Sequence, residues 1–209
     1  MPLREFGNPP AAWLHVLPRY AELQRGEAIY AEEHVAGGVP SLPISALPAR
    51  YIELLDRDLP LEPDELGRLE AFWPVFAQLC AELGSGLPVT VQHDDLHMGS
   101  VYERGARIRI LDWGDSSISH PFFSLVVTFR ILEEYTGLKP NDPWFARLRD
   151  AYLEPWGAGL SDQFDLALRV GSFAHATAWI RHREFLPPAD RPPFDEWFAH
   201  VLRRALRAT

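Results

Sequence analysis

The sequence predicts a mostly helical α+β domain in which a small sheet presents a loop rich in histidine and aspartate. Apolar residues recur at helical spacing along most of the chain, whereas the period becomes strand-like between Pro88 and Leu111. Two polar segments flank those strands: His93-Asp94-Asp95-Leu96-His97-Met98-Gly99-Ser100 and Leu111-Asp112-Trp113-Gly114-Asp115. At 209 residues, with 47% hydrophobic and 23% charged, the chain suits one substantial core. It is read as a single domain, residues 1–209, with an ordered core over about 12–207.

The first helix is predicted from Trp13, Leu14, Leu17, Tyr20 and Leu23, ending near Arg25-Gly26, with a kink at Pro18. Glycines and prolines from Val35 to Pro48 predict a loop, followed by a short helix through Tyr51, Leu54 and Leu55. A stronger helix is expected from Pro63 to Leu83, with Leu66, Leu69, Phe72, Trp73, Phe76, Leu79, Cys80 and Leu83 on one stripe and a bend at Pro74. Pro88 to Gln92 reads as a strand; Val101 to Glu103 and Arg107 to Leu111 read as a hairpin turned at Arg104-Gly105. Four helices follow, over Pro121–Tyr135, Pro143–Leu153, Asp162 to about Arg183, and Phe194–Arg207. The last carries Asp195 and Glu196 in its expected first turn and Arg203, Arg204 and Arg207 near its end, as the helix dipole favours. Phe122, Phe129, Phe173, Trp179 and Trp197 are expected in the core.

A net charge of −9 argues against nucleic acid as a partner. It suits a cationic small molecule, and solubility alone also accounts for it. A single cysteine, Cys80, leaves no intramolecular disulfide and no cysteine-based zinc site. The first residues lack the apolar core of a signal peptide and no run reaches membrane-spanning length, so no membrane partner and a cytoplasmic location are expected. Nothing in the sequence fixes an oligomeric state.

The two polar segments have the spacing that phosphoryl transfer needs. An aspartate on a rigid loop takes the proton of an acceptor hydroxyl, a polar residue five positions on helps hold a metal, and a second aspartate past a strand end binds Mg²⁺ at the phosphates. Asp95 fits the first role, Ser100 the second and Asp112 the third. Each has a plainer reading: Asp95 as a carboxylate capping its own loop, Asp112 as the opening of an Asx-turn. His97, with His93, Asp95 and Asp112, also offers a ligand set for Zn²⁺, Mn²⁺ or iron in a hydrolase, although two histidines four apart serve that purpose best on a helix.

His93-Asp94-Asp95-Leu96-His97, Ile110-Leu111-Asp112-Trp113-Gly114-Asp115 and His120-Pro121 together resemble the aminoglycoside phosphotransferase family, and more distantly choline kinase and homoserine kinase-like enzymes. The resemblance runs from about Trp13 to the C-terminus and implies the catalytic C-terminal lobe of a protein-kinase-like fold. It also implies an enzyme that uses ATP or GTP with Mg²⁺ to phosphorylate a hydroxyl of a small molecule of the aminoglycoside, aminosugar or amino-alcohol class. Asp95 would be the catalytic residue, Asp112 and Ser100 the metal ligands, and Ser100 and His93 the cofactor-side residues, with His93 bracing the loop. Asp94 falls at a variable position of the motif. Acidic residues such as Asp142, Glu154 and Asp162 could face a cationic acceptor.

The chain departs from that family in three places. Ser100 stands where asparagine is expected, and Ser124 where the H-P-x-x-D segment carries its acid, so the second metal position and the support of the loop both change. The sole lysine, Lys139, follows both motifs, and no β-strand lysine or phosphate-covering lobe precedes them. The expected alternatives are therefore the C-terminal part of a longer protein whose N-terminal lobe is missing from this sequence, or an inactive lobe that serves as a binding module.

Overall fold

A computed structural model describes residues 3–84, 86–104 and 107–207. Helix α1 (Pro10–Glu27) opens on a proline, whose missing N–H costs nothing in a first turn, and runs through Pro18 as one element. It turns Trp13, Val16, Leu17, Tyr20, Ala21 and Gln24 inward. Helix α2 (Ala31–Ala36) was not expected; it buries only Ala31 and so shows no apolar stripe. Helix α3 (Leu47–Leu55) buries Leu47, Tyr51 and Leu54. Helix α4 (Pro63–Leu83) starts in a capping box between Glu62 and Glu65 and buries Leu69, Phe72, Phe76, Leu79, Cys80 and Leu83 of the stripe read from the sequence, while Leu66 and Trp73 are half-buried at its edge.

The sheet divides into two antiparallel pairs. Strands β2 (Val101–Arg104) and β3 (Arg107–Ile110) form the expected hairpin, with Val101 opposite Ile110. Of the expected turn residues, Arg104 ends β2 opposite Arg107 and Gly105 lies outside the described residues. Strand β1 (Thr90–Gln92) pairs instead with an unexpected β4 (Ser117–Ser119), Thr90 opposite Ser119 and Gln92 opposite Ser117. Part of the predicted loop lies along β4 as well: the Ile118 N–H donates to Pro40 O at 2.7 Å and the Leu42 N–H to Ile118 O at 2.8 Å. This pairing satisfies the buried backbone of a three-residue strand.

Beyond the sheets lie a 3-10 turn (Pro121–Ser124) and helices α5 (Leu125–Thr136), α6 (Pro143–Leu153), α7 (Ser161–Phe185) and α8 (Arg191–Arg207). Helix α8 begins earlier than predicted, so its first turn holds no acid. Asp195 instead takes a bidentate pair from Arg183 of α7, at 2.5 and 3.1 Å. The rings of Tyr51 and Phe76 stack with centroids 4.6 Å apart, and Phe173 of α7 lies 5.2 Å from both Phe72 and Phe76. Each such side chain, fully buried, contributes roughly 1.5–3 kcal/mol. Trp197 is a correction: it is 56% exposed, on a surface groove that it lines with Glu65, Glu134 and Arg203. Among the described residues no helix is long and apolar enough to cross a membrane.

Candidate active site

The segment between β1 and β2 carries the first motif, and buried groups fix it from beneath. Leu96 is fully buried and its carbonyl accepts from the Thr128 hydroxyl of α5 at 2.7 Å. His93 is also fully buried. Its Nε2–H donates to Leu111 O at 2.8 Å, tying the loop to the residue before Asp112, and its ring lies 4.7 Å from that of Trp113. Burial pulls the His93 pKa below its ordinary value, so the ring is neutral at pH 7. Buried in this way, His93 braces the loop and does not line the cleft.

Asp95 is half-buried, with Oδ2 3.2 Å from Nε2 of His97. Nδ1 of His97 accepts the Gly99 N–H at 2.8 Å, which places the ring proton on Nε2, facing Asp95. Burial works to raise the Asp95 pKa, but the His97 hydrogen bond and neighbouring histidines offset this, and the carboxyl is held below its ordinary value. The His97 ring lies close over Gly99, where a Cβ would stand 2.5 Å from its Cε1 and force the ring to shift. Ser100 is buried and turned to the loop backbone: its hydroxyl donates to His97 O at 2.9 Å and accepts the His97 N–H at 3.1 Å.

The β2–β3 ladder brings the second motif alongside. The Leu111 N–H donates to Ser100 O at 2.9 Å, so Asp112, the next residue, reaches the same end of the hairpin as the loop. Asp112 is exposed and adopts φ 66°, a left-handed conformation that turns the chain sharply after the strand. Trp113 is half-buried below it, its indole N–H on Ile110 O at 2.9 Å.

A cleft of about 270 Å³ opens beside the loop, lined by Asp94, Asp95 and Asp115 on one side and by His175, Trp179 and His182 of α7 on the other. Nε2 of His182 lies 3.2 Å from Oδ1 of Asp115. His175 accepts the Trp179 indole N–H at 2.9 Å. Burial lowers the His175 pKa to about 3, with Arg130 pushing the same way, so it faces the cleft neutral. The acids of the cleft are thus not Asp142, Glu154 or Asp162; Asp142 caps α6 by accepting the Trp144 N–H at 2.9 Å. His175 and His182 escaped the sequence reading, and Trp179, expected in the core, is half-buried with one side to the cleft.

Ser124, which replaces the expected acid, sits at the centre of a buried network under the loop. It donates to Gln92 Oε1 at 2.6 Å, and so receives the Tyr20 hydroxyl proton, also at 2.6 Å. The Tyr20 oxygen in turn accepts the His93 N–H at 3.1 Å. Burial holds the Tyr20 phenol far above its ordinary range, which keeps it a donor. Three neutral groups therefore do the anchoring that one carboxylate would do. The histidine-rich metal set is not assembled: His93 turns to Leu111, and among the described residues no three His, Cys, Asp or Glu side chains form a metal-holding group.

Comparison with known proteins agrees with this geometry. The profile of the phosphotransferase enzyme family matches residues 14–169, well over half of the chain, and the chain belongs to that family. No curated protein matches it. Among solved structures it is similar to a Plasmodium vivax ethanolamine kinase, with 16% identity and a TM-score of 0.59 over 98% of this chain and 60% of that one. A choline/ethanolamine kinase family protein from Mesorhizobium loti gives 16% identity and a TM-score of 0.59, over 100% of this chain and 68% of that one. The fold is therefore a kinase-like lobe, and the chain spans about 60% of the first of these relatives and 68% of the second.

Proposed function

We propose that this chain is the catalytic lobe of a cytoplasmic phosphotransferase that moves the terminal phosphate of ATP or GTP to a hydroxyl of a small molecule, of the aminoglycoside, aminosugar or amino-alcohol class. The observation that supports it most is the arrangement at one hairpin end: an ionised Asp95, held by His97, beside the cleft, with Asp112 brought alongside by the β2–β3 ladder. Asp95 orients the acceptor hydroxyl and takes its proton as the new O–P bond forms and the nucleoside diphosphate leaves. Its lowered pKa keeps it ionised to receive that proton.

The donor set suits Mg²⁺, which takes one or two carboxylates and completes its shell with phosphate oxygens and water. Asp112 is exposed at the strand end and would hold the ion, which supplies charge neutralisation at the phosphates. Ser100 adds at most a lone pair, since its hydroxyl already serves the loop.

One observation favours a second reading. The sole lysine, Lys139, follows both motifs, so residues 1–92 supply no phosphate-gripping lysine to the loop. On that reading the lobe binds a ligand without turning it over. One experiment separates the two: thermal unfolding with and without Mg²⁺-ATP, followed by phosphoryl transfer to ethanolamine, choline and glucosamine. A nucleotide at about a hundred times its Kd should stabilise the fold by roughly 2.7 kcal/mol, and Asp112→Ala should remove that shift. Asp95→Ala should keep the shift and lose transfer by at least about a hundredfold. Equal transfer by wild type and Asp95→Ala would end the catalytic assignment. Binding without transfer would favour the binding module.

A further inference from the structure

We infer that Asp94, tied to Ser117, is the positioning residue that aims Asp95 into the cleft. The inference rests on the catalytic reading of Asp95 above. Among the described residues three non-glycine residues have positive φ, Asn8, Asp94 and Asp112, at 53°, 59° and 66°. Of the three, Asp94 lines the cleft. Asp94 therefore holds an unfavourable backbone conformation immediately before the residue that meets the acceptor, and such strain persists only where neighbours fix it.

The neighbours that fix it can be named. On one side His93 is held through its N–H by Tyr20 and through its ring by Leu111. On the other, Leu96 is buried and its carbonyl takes the Thr128 hydroxyl. Between these anchors the side chain of Asp94 is fastened sideways: the Ser117 hydroxyl donates to Oδ2 of Asp94 at 2.5 Å. Ser117 is 2% exposed and paired with Gln92, so the tie closes onto the strand pair from which the loop departs. The left-handed turn at Asp94 decides which way Asp95 points. A relaxed Asp94 would swing the Asp95 carboxylate away from His97 and the cleft, while leaving the nucleotide side of the site, at Asp112, untouched.

Aspartate and asparagine tolerate the left-handed region and can both accept from Ser117, whereas alanine has no acceptor and holds that region less readily. The test is therefore a comparison of Ser117→Ala, Asp94→Ala and Asp94→Asn with wild type. It reads kcat and KM with Mg²⁺-ATP and ethanolamine, choline or glucosamine, and ¹⁵N relaxation of the Asp95 to His97 amides. Ser117→Ala should lower kcat about tenfold and Asp94→Ala about a hundredfold, with KM for Mg²⁺-ATP unchanged, as expected when a reacting group is misplaced by about an ångström. Asp94→Asn should stay within about threefold of wild type, and the loop amides should broaden in both alanine variants but not in the asparagine one. A simple folding defect would lower the melting temperature without this split.

Wild-type kcat and sharp loop amides in Ser117→Ala would overturn the inference. So would an asparagine variant as damaged as the alanine one with a raised acceptor KM, which would make Asp94 a direct contact to the acceptor. If wild type transfers phosphate to no acceptor, the catalytic reading is what falls, and the relaxation data alone decide whether the tie holds the loop.

Discussion

His120 sits beneath the His93–Ser100 loop at 1% exposure, its Nδ1 taking the Phe122 N–H at 3.3 Å and its Nε2 buried without a hydrogen-bond partner. Burial lowers its pKa from 6.5 to about 4. Between those values the unfolded chain binds a proton that the folded one refuses, so stability is complete above pH 6.5 and falls as the pH drops toward 4. The loss from this residue is at most about 3 kcal/mol. His120→Asn, whose side-chain oxygen can still receive the Phe122 N–H, should flatten the acid limb, as measured by urea unfolding at several pH values from 7 to 4. An unchanged limb would place the sensitivity elsewhere, His175 being the next group to examine. At this scale the sequence spoke selectively. Spacing singled out Asp95 and Asp112 as candidates, because both lie in local motifs. The support under them was hidden: Tyr20 meets Ser124 across 104 residues, a distance no local pattern spans.

Helix α7 forms one wall of the cleft and also packs closely against the Pro121–Ser124 turn and the start of α5. Gly171 permits this approach: a Cβ there would lie 2.8 Å from Phe123 Cδ1 and 3.0 Å from Val126 Cγ2. Gly171→Ala would gain roughly 1 kcal/mol in helix propensity and lose about 1–3 kcal/mol to overpacking against buried Phe123. A lowered melting temperature is the expected result; a raised one would mean the turn can yield. Elements with a continuous apolar stripe, such as α4 and α6, were legible almost to the residue, because burial on one face writes a period into the chain. Helix α2 and strand β4 were not. The first buries a single alanine, and the second is three residues long and wholly buried, so neither has a period to read. The tie from Ser117 to Asp94 was lost with β4, which explains why Asp94 looked incidental in the sequence.

The core joins residues from Leu3 to Leu206 in one contiguous cluster. A chain built this way should unfold in one step, with tryptophan fluorescence and near-ultraviolet circular dichroism giving coincident urea transitions. Separate midpoints would divide the single domain proposed for residues 1–209. Cys80 gives that test a clock. It lies on α4 at 3% exposure, and burial pushes its thiol up to about 12, so the native protein presents no thiolate to a reagent. Because the chain has one cysteine, each molecule can be labelled once, and only after the centre of the cluster has come apart. Mixed with an excess of a disulfide reagent, the protein should release its chromophore at the rate of whole-molecule opening, so that the lone sulfur counts the native state's lifetime.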